Sequence, residues 1–154
     1  MTKILFVCHG NICRSPMAEF VMKAMVKQAG LEADFVIASA AVSDEERGNP
    51  VYPPVRRLLA THGIDCAGKT ARQLRRSDYG EYDELIAMDD SNLRAMRRIC
   101  GGDPDGKMSR LADHGDCPGH IADPWYSGDF ERTWREVNDG CTALLKKITS
   151  RGRR

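Results

Sequence analysis

The sequence alternates between short apolar segments and longer amphipathic ones, and this alternation limits the fold more than any other feature. Three apolar runs are predicted to be buried strands, namely residues 3–8 (KILFVC), 34–40 (DFVIASA) and 83–88 (DELIAM). Each run is followed by a segment with helical periodicity. Strands that alternate with helices are typical of a single α/β domain, in which helices cover both faces of a parallel sheet.

The helix boundaries are predicted from capping residues and helix breakers. In the first helix, Ser15 is expected to be the N-cap and Pro16 the first helical residue, with Gly30 ending the helix. Similar signals bound two other helices: Pro53–Pro54 to Gly63, and Asp90 or Ser91 to Gly101–Gly102. The last helix is predicted from apolar residues that repeat every three or four positions from Phe130 to Ile148. Residues 103–127 are rich in Gly, Pro and Asp, and they are predicted to form loops with one short strand around 108–111.

Length, charge and hydropathy exclude several classes of protein. The 154 residues suit one domain over residues 1–150, followed by a basic, frayed tail at 151–154. The net charge of +1 gives no support for nucleic-acid binding. No stretch approaches the roughly 20 apolar residues of a membrane span, and the first residues show no secretory signal. We therefore expect a cytoplasmic protein without a membrane partner.

Six cysteines are many for a chain of this length. In the cytoplasm they are expected to be reduced, and their spacing shows no paired CxxC zinc framework. Four of them are expected to be buried or half-buried small apolar residues: Cys66, Cys100, Cys117 and Cys141. The other two, Cys8 and Cys13, lie in a segment with a different character.

That segment joins the first predicted strand to the first helix. The strand ends at Cys8, the chain bends through Gly10 and Asn11, and a helix begins near Arg14. Gly10 permits a positive φ, and Asn11 is the non-glycine residue that best tolerates the left-handed region. Successive backbone N–H groups then point inward and form an anion-binding nest at a helix N-terminus. Ligands of parallel α/β folds bind at this carboxyl edge of the sheet.

Arg14 and Cys8 give this nest its chemistry. The Arg14 guanidinium is a rigid fork of donors that matches two oxygens of a phosphate-like group. Helix N-termini and nearby cations favour the ionised form of a thiol, so we expect Cys8 to act as a thiolate nucleophile at the floor of the nest. Cys and Arg six residues apart are common by chance. The strand before them, the Gly–Asn turn between them and the Ser–Pro pair after them make the composite specific.

The segment VCHGNICRSPMAE (7–19) closely resembles the signature of the low-molecular-weight protein tyrosine phosphatase family. DPWY (123–126) resembles the general-acid segment of that family, and GNP (48–50), TARQL (70–74) and AMDDSNL (87–93) are similar to other family segments in the expected order. The resemblance implies a four-stranded, Rossmann-like parallel sheet without metal or cofactor. It also implies a substrate that is a phosphotyrosine protein or an aryl phosphate, for example a tyrosine kinase or its targets, and a monomer or weak dimer.

The resemblance also implies catalytic roles. Cys8 would attack phosphorus and form a phosphocysteine, while Asp123 would protonate the leaving phenol and then take a proton from water. The residues alone do not single out Asp123 among Asp113, Asp116 and Asp129. The oxygens of the phosphate would be held by a loop of six residues: His9, Gly10, Asn11, Ile12, Cys13 and Arg14.

Supporting roles follow from the same resemblance. Asn11, Ser15 and Ser39 match polar positions that brace the loop, and Ser15 is also placed to hydrogen-bond the Cys8 sulfur. Trp125 and Tyr126 match rim aromatics that would contact an aryl ring. Cys13 matches a second loop cysteine that can form a disulfide with Cys8 and protect it from overoxidation.

Three residues depart from the family pattern. His9 stands where an apolar residue is usual and is expected on the outer side of the loop. Lys69 stands where some members have a histidine that braces the loop. Glu45 stands at a rim position that is usually Trp or Tyr. These departures leave the catalytic assignment intact and leave the substrate preference open.

Other functions remain as alternatives. A protein-arginine phosphatase of the same fold would resemble this chain, but those relatives carry Thr where this loop has Ile12. An arsenate reductase needs a close cysteine pair near the third strand, whereas residues 83–99 contain no cysteine and Cys100 stands alone. A zinc site formed by Cys8, His9 and Cys13 is poorly spaced and lacks a fourth ligand.

Overall fold

The computed structural model describes residues 1–151 and contains one four-stranded parallel sheet. Its strands are β1 (Thr2–Cys8), β2 (Phe35–Ala41), β3 (Glu84–Ala87) and β4 (Met108–Arg110), in the spatial order β2-β1-β3-β4. The central strand β1 pairs with β2 and β3, so that Phe6 lies opposite Ser39 on one side and Ile86 on the other. The predicted parallel α/β fold is confirmed.

Within residues 1–151, six helices connect the strands or follow them: α1 (Arg14–Gln28), α2 (Pro53–Thr61), α3 (Asp78–Glu81), α4 (Asp90–Cys100), α5 (Pro124–Ser127) and α6 (Phe130–Arg151). Two short 3-10 helices lie at Glu32–Asp34 and Leu111–His114. The four long helices and the short strand β4 were predicted. The single-turn helices α3 and α5 were not, because one turn is too short to show apolar periodicity.

The two faces of the sheet bury separate apolar clusters. Ile4 and Phe6 of β1 point toward the cluster that includes residues of α1, α2 and α6. Leu5 and Val7 point toward the opposite cluster, which includes residues of α4. Successive side chains of a strand point to opposite faces, which explains why alternate residues of β1 enter different clusters. Because both faces are buried, the sequence of β1 is a continuous apolar run.

The predicted start of α1 was wrong by two residues. The N-cap is Cys13, no side chain caps the helix, and Ser15 is the second helical residue. The Ser15 hydroxyl is directed at Cys8 instead of at the helix backbone. The predicted end was close, since α1 stops at Gln28 and Gly30 follows with φ 73°.

The predicted start of α4 was also displaced. Its N-cap is Asp89, whose carboxylate accepts a hydrogen bond of 2.8 Å from the Asn92 N–H. Asp90 and Ser91 are therefore already inside the helix. The predicted end is confirmed, because Gly101 adopts a left-handed φ of 80° directly after Cys100.

The last helix enters the segment that was predicted to be a tail. α6 continues to Arg151, whose guanidinium lies 2.9 Å from Glu84 Oε1 at the start of β3. The rest of that segment, residues 152–154, lies outside the described residues, so the division into domain and tail stays a prediction. Among the described residues, no helix is both long enough and apolar enough to cross a membrane.

The cysteines are free thiols, and all but one are buried. Cys66, Cys100 and Cys141 pack in the interior as expected. Cys117 is exposed, which contradicts its prediction, because it lies in the loop after the second 3-10 helix instead of in a helix or strand.

Candidate active site

The loop from Cys8 to Arg14 turns at the carboxyl end of β1, as the sequence predicted. Asn11 adopts the left-handed conformation with φ 58°, whereas Gly10 has no positive φ. The small size of Gly10 matters for another reason. A Cβ atom there would lie 3.3 Å from Glu46 Cγ, so glycine lets the segment carrying Glu46 pack closely against the loop.

The Cys8 sulfur lies at the floor of this loop and receives two polar contacts. The Asn11 N–H donates to Cys8 Sγ over 3.3 Å, and Ser15 Oγ lies 2.9 Å from the same sulfur. Both contacts are buried. A negative charge on sulfur would be stabilised by both groups, because each can present a hydrogen to it.

The direction of these hydrogen bonds is fixed by the side chain of Asn11. Asn11 Nδ2 donates to Ser15 Oγ over 2.8 Å and to Ser39 Oγ over 2.9 Å. Since Ser15 Oγ accepts from Asn11, it keeps its own hydrogen for the Cys8 sulfur. Asn11 Oδ1 accepts from the Arg72 N–H over 3.2 Å, which distinguishes the oxygen of the amide from its nitrogen.

Behind Ser39 the network ends at a buried carboxylate that the sequence reasoning missed. Ser39 Oγ donates to Glu19, and Glu19 also contacts Lys23 (2.6 Å) and Lys69 (3.5 Å). Lys69 Nζ donates to the Ser39 carbonyl over 3.0 Å. Burial lowers the pKa of Lys69, and the Glu19 carboxylate only partly offsets that effect. Lys69 therefore lies within the network around the loop, where some family members have histidine.

Arg14 is buried at the other end of the loop, with only 4% of its surface exposed. Its Nη1 donates to Asp89 Oδ2 over 2.9 Å and to the Ile121 carbonyl over 3.1 Å. A guanidinium has five N–H donors, and these two contacts use both hydrogens of Nη1. Nη2 has a longer contact of 3.4 Å with Asp123 Oδ2, and the edge formed by Nε–H and Nη2 has the geometry that matches two phosphate oxygens.

Asp89 holds Arg14 in place, and sequence reasoning missed this role too. Burial raises the pKa of Asp89, but the Asn92 N–H and the Arg14 guanidinium outweigh it, so the net pKa lies below the usual value. Asp89 is therefore ionised at neutral pH and binds Arg14 as a charged pair. Asp89 could have been suspected of such a role because it lies in AMDDSNL (87–93), a segment that resembles the family sequence but to which no role was assigned.

Asp123 faces the loop from the far side of the cleft. It is the N-cap of α5, where its Oδ1 accepts from the Trp125 N–H over 3.1 Å. Its Oδ2 lies 3.4 Å from Arg14 Nη2. The cap explains how a carboxylate in a Gly- and Pro-rich region is held in one position, since Pro124 at the first helical position favours the turn.

A cleft of about 220 Å³ joins these groups. Cys8, Arg14 and Asp123 all line it, so the structure brings the three predicted catalytic residues together. Other predicted residues line it as well: His9, Gly10, Ile12, Cys13, Glu45, Trp125 and Tyr126. The predicted bracing residues Asn11, Ser15 and Ser39 are buried behind the loop.

The mouth of the cleft has an acidic side and an aromatic side. Glu45 lies 3.2 Å from His9 Nε2, and both side chains are mostly exposed, as expected for the outer side of the loop. Trp125 and Tyr126 are 54% and 86% exposed. Tyr52, which was not predicted, lies with its ring centroid 5.0 Å from that of Trp125 and supports the aromatic side from below.

Cys13 differs from Cys8 in its surroundings. Burial, together with the neighbouring Cys8 and Asp123, raises the pKa of Cys13 to about 12. The thiol of Cys13 therefore stays protonated at neutral pH, which makes it a poor nucleophile in the resting protein.

The described part of the chain, residues 1–151, has no group of three or more His, Cys, Asp or Glu side chains that could hold a metal ion. The Arg14 guanidinium lines the cleft, and the Asn11 N–H is directed at the Cys8 sulfur on its floor. They are suited to an anion.

Fold and cleft together define a class of protein: a parallel α/β domain with a thiol and an arginine in one anion-binding loop and a carboxylate opposite. A sequence model of the family described as low molecular weight phosphotyrosine protein phosphatase matches residues 3–154. The chain belongs to this family. The enzyme class predicted from the sequence is thereby confirmed.

Members of the family from other organisms align with this chain over nearly their full length. The low molecular weight protein-tyrosine-phosphatase YfkJ of Bacillus subtilis is 35% identical over 150 residues, which cover 96% of each chain. The low molecular weight phosphotyrosine protein phosphatase of Schizosaccharomyces pombe is 41% identical over 159 residues, covering 96% of this chain and 99% of the relative.

Solved structures confirm the fold. The crystal structure of YfkJ from Bacillus subtilis superposes with a TM-score of 0.93 and covers 98% of this chain and 96% of that one. A Drosophila arginine phosphatase also superposes, with a TM-score of 0.87, 27% identity and coverage of 96% and 98%. The same architecture therefore occurs in proteins named for two different phosphorylated residues.

Proposed function

We propose that this protein hydrolyses phosphotyrosine in proteins, or related aryl phosphate monoesters, through a phosphocysteine on Cys8. One observation carries the proposal. The Cys8 sulfur receives the Asn11 N–H and lies 2.9 Å from the Ser15 hydroxyl, in a cleft that Arg14 and Asp123 also line. A nucleophile, an anion-binding side chain and an acid thus share one small volume.

In the first step the Cys8 thiolate attacks phosphorus and an S–P bond forms. The P–O bond to the phenol breaks, and Asp123 donates its proton to the departing oxygen. Asp123 suits this role because it faces the floor of the loop from the opposite wall of the cleft. Its attachment to α5 keeps it at that position without help from the substrate.

In the second step a water molecule attacks the phosphocysteine. Asp123, now ionised, takes a proton from that water, the S–P bond breaks, and Cys8 leaves as a thiolate with inorganic phosphate as the product. The Asn11 N–H and the Ser15 hydroxyl favour departure of sulfur as an anion. Each group thereby serves both attack and departure, and the protein returns to its starting state.

In the transition state of each step, charge spreads over the equatorial oxygens of the transferred group. The backbone N–H groups of the loop and the Arg14 edge formed by Nε and Nη2 are suited to binding those oxygens. Asp89 and the Ile121 carbonyl hold Nη1, so the guanidinium is already oriented before an anion binds. A group oriented in advance stabilises the transition state without a reorganisation cost at the moment of reaction.

The walls of the cleft favour an aromatic leaving group. Ile12 contributes an apolar side chain from within the loop, and Trp125 and Tyr126 contribute exposed rings. A phenyl ring gains from contact with these apolar and aromatic surfaces, whereas a guanidinium group would depend on polar partners such as Glu45 and Glu46 on the acidic side of the cleft. This is why we favour phosphotyrosine over phosphoarginine, although a structural neighbour is named an arginine phosphatase.

The deciding experiment is steady-state hydrolysis, without added metal, of one peptide sequence carrying phosphotyrosine, phosphoserine or phosphoarginine. Arsenate reduction with a thiol is measured in parallel. We expect kcat/KM for phosphotyrosine to exceed the other two by about a hundredfold or more, since only its phenyl ring can contact the aromatic wall and phenol is a better leaving group than a serine alkoxide. A faster reaction with phosphoarginine, or arsenate reduction alone, would contradict the proposal.

We further propose that the physiological partner is a phosphotyrosine protein, such as a tyrosine kinase or one of its targets. The exposed rim of the cleft supports a protein substrate, because Tyr126 and Glu45 stand where residues flanking the phosphotyrosine would pass. The cytoplasmic location and the monomeric or weakly dimeric state expected from the sequence stay predictions.

A further inference from the structure

The segment Thr70–Leu74 carries no role in the mechanism above, yet its backbone contacts several parts of the site. The Arg72 carbonyl accepts from the Ala41 N–H over 2.8 Å, and the Leu74 N–H donates to the Ala41 carbonyl over 2.7 Å. The Ala71 carbonyl accepts from Gly48 N–H over 2.9 Å, in the loop that carries Glu45. The segment thus ties the end of β2 to the acidic side of the cleft.

Arg72 also reaches the phosphate-binding loop itself. Its backbone N–H donates to Asn11 Oδ1 over 3.2 Å, and this is the contact that orients the Asn11 amide. Asn11 Nδ2 donates to the hydroxyls of Ser15 and Ser39, and the Asn11 backbone N–H donates to the Cys8 sulfur. A displacement of the Arg72 backbone would therefore change the hydrogen bonds to the Cys8 sulfur, with Asn11 as the one residue between them.

The position of Arg72 is set by its own side chain. The guanidinium binds Asp78 with two nitrogens, Nη1 to Oδ2 at 3.0 Å and Nη2 to Oδ1 at 3.2 Å. Asp78 is fully buried and also accepts from the Arg75 N–H over 2.8 Å. Two parallel bonds to a buried carboxylate fix both the distance and the plane of a guanidinium, which a single contact would not do.

We infer that the Arg72–Asp78 ion pair is a positioning device for the phosphate-binding loop, and that Arg72 acts on catalysis through Asn11. Neither residue lines the cleft, so the effect is indirect. The inference rests on the proposed function, because the loop it positions is the one assigned to bind phosphate. The path consists of two non-covalent links: Asp78 holds the Arg72 side chain, and the Arg72 backbone N–H holds the Asn11 amide.

The test uses Arg72→Gln, which removes the fork but keeps a polar side chain, and Arg72→Lys, which keeps the charge. Arg75→Gln is the matched control, because the Arg75 side chain is exposed while its backbone N–H still reaches Asp78. Two quantities are measured for each protein, namely kcat/KM for a phosphotyrosine peptide and the equilibrium affinity for vanadate. The Tm of each variant is recorded alongside.

Arg72→Gln is expected to lower both kcat/KM and vanadate affinity by about tenfold. Arg72→Lys should lower both by less, and Arg75→Gln should match the parent protein. Parent-like values of both quantities in Arg72→Gln would overturn the inference. If Arg72→Gln does not fold, Arg72→Lys decides, and its equality with the parent overturns the inference. Vanadate affinity does not require turnover, so a failure of the proposed function leaves this measurement valid.

A double-mutant cycle separates positioning from general destabilisation. Asn11→Gly removes the amide and still accepts the left-handed φ, so it leaves the backbone unstrained. In that background Arg72→Gln should change vanadate affinity by less than about twofold, because the route through Asn11 is already gone. The same loss with and without the Asn11 amide would show that Arg72 acts by another route, and the inference would be wrong.

Discussion

The Ser15 hydroxyl oxygen lies 2.9 Å from the Cys8 sulfur and accepts a hydrogen bond from the Asn11 side chain at the same time. Its own hydrogen is thereby left for the sulfur. This arrangement directs a hydrogen-bond donor at the sulfur, and it uses a side chain that does not cap the helix in which it lies.

Ser15→Ala should therefore weaken the nucleophile without disturbing the start of α1. A hydrogen bond to a charged group is worth about 1.5–3 kcal/mol, so we expect kcat/KM on phosphotyrosine to fall by about ten- to a hundredfold. Ser43→Ala is the control, since the Ser43 hydroxyl donates to the His9 carbonyl on the outer side of the same loop. Equal losses in both variants would mean that any hydroxyl near the loop has this effect.

Cys8→Ser should abolish turnover but retain binding. A hydroxyl is a far weaker nucleophile than a thiolate, so residual activity should lie below about 1%. Vanadate or inorganic phosphate should still bind, because the loop N–H groups and Arg14 are unchanged. Calorimetric titration measures the binding, and the exposed Cys117→Ser serves as the control. Activity above that level would remove Cys8 from the role of nucleophile.

Asp123→Asn should slow the reaction in a way that depends on the leaving group. General acid catalysis contributes about 10²–10⁴-fold, so phosphotyrosine hydrolysis should lose at least about a hundredfold. Hydrolysis of para-nitrophenyl phosphate should lose much less, because that leaving group departs without a proton. The Asn side chain still presents an oxygen to the Trp125 N–H, so α5 should remain capped.

Asp129→Asn is the matched control, because Asp129 is an exposed carboxylate in the same stretch of chain. Its activity should stay close to that of the parent on both substrates. Identical slowing of both substrates by Asp123→Asn would identify Asp123 as structural and leave the acid to another residue.

Oxidation of Cys8 by peroxide should be followed by closure of a Cys8–Cys13 disulfide, and the closure should accelerate with pH. The pKa of Cys13 is raised to about 12, chiefly by burial, which persists after Cys8 is oxidised and loses its charge. Below that pKa the thiolate fraction of Cys13 rises about tenfold per pH unit, and the rate should follow it.

The experiment is a short peroxide pulse, removal of peroxide by catalase, and trapping of free thiols over time between neutral and mildly alkaline pH. Cys13→Ala should recover poorly when thiol is added, whereas Cys117→Ala should recover like the parent. Closure at a rate independent of pH, or full recovery of Cys13→Ala, would contradict the protective role of Cys13.

The acidic side of the cleft mouth should influence which peptides react well. Glu45 is exposed and paired with His9, so its effect on a flanking charge should stay below about 1 kcal/mol, or about fivefold in kcat/KM. Peptides with Lys beside the phosphotyrosine should react faster than peptides with Glu, and added salt should reduce the difference. Glu45→Gln should reduce it too.

The control for this comparison is Glu32→Gln, an exposed carboxylate that precedes β2, at the opposite edge of the sheet from the cleft. Glu32→Gln removes one negative charge, as Glu45→Gln does, but at a position distant from the cleft. A preference for acidic flanks in the parent, or an unchanged preference in Glu45→Gln, would show that Glu45 does not contact the residues beside the phosphotyrosine.

The sequence predicted the long elements because periodicity and burial act together in them. β1 is buried on both faces and reads as an unbroken apolar run, and α6 carries one apolar stripe over its whole length. The capping residues were harder to predict. Ser15 shows why, since a polar residue near a helix start can bind the helix backbone or a distant group, and here the tertiary structure directs its hydroxyl to the Cys8 sulfur.

The chemistry-bearing residues of the loop were predictable because they are adjacent in the sequence. The residues that hold them were not, because they come from elsewhere in the chain. Asp89 is 75 positions away from Arg14, and Arg72 is 61 positions away from Asn11. A carboxylate such as Glu19, in the middle of an amphipathic helix, carries no local mark that it is buried.

The position of Asp123 at the N-cap of α5 restricts which acid this site can use. One oxygen of its carboxylate accepts from the Trp125 N–H, while the other faces Arg14 Nη2 across the cleft. Only a side chain with a single methylene holds both oxygens at those two places. Glutamate would carry the carboxylate past the backbone donor, and it is absent from the favoured capping residues. Side-chain length, as much as acidity, therefore requires aspartate here.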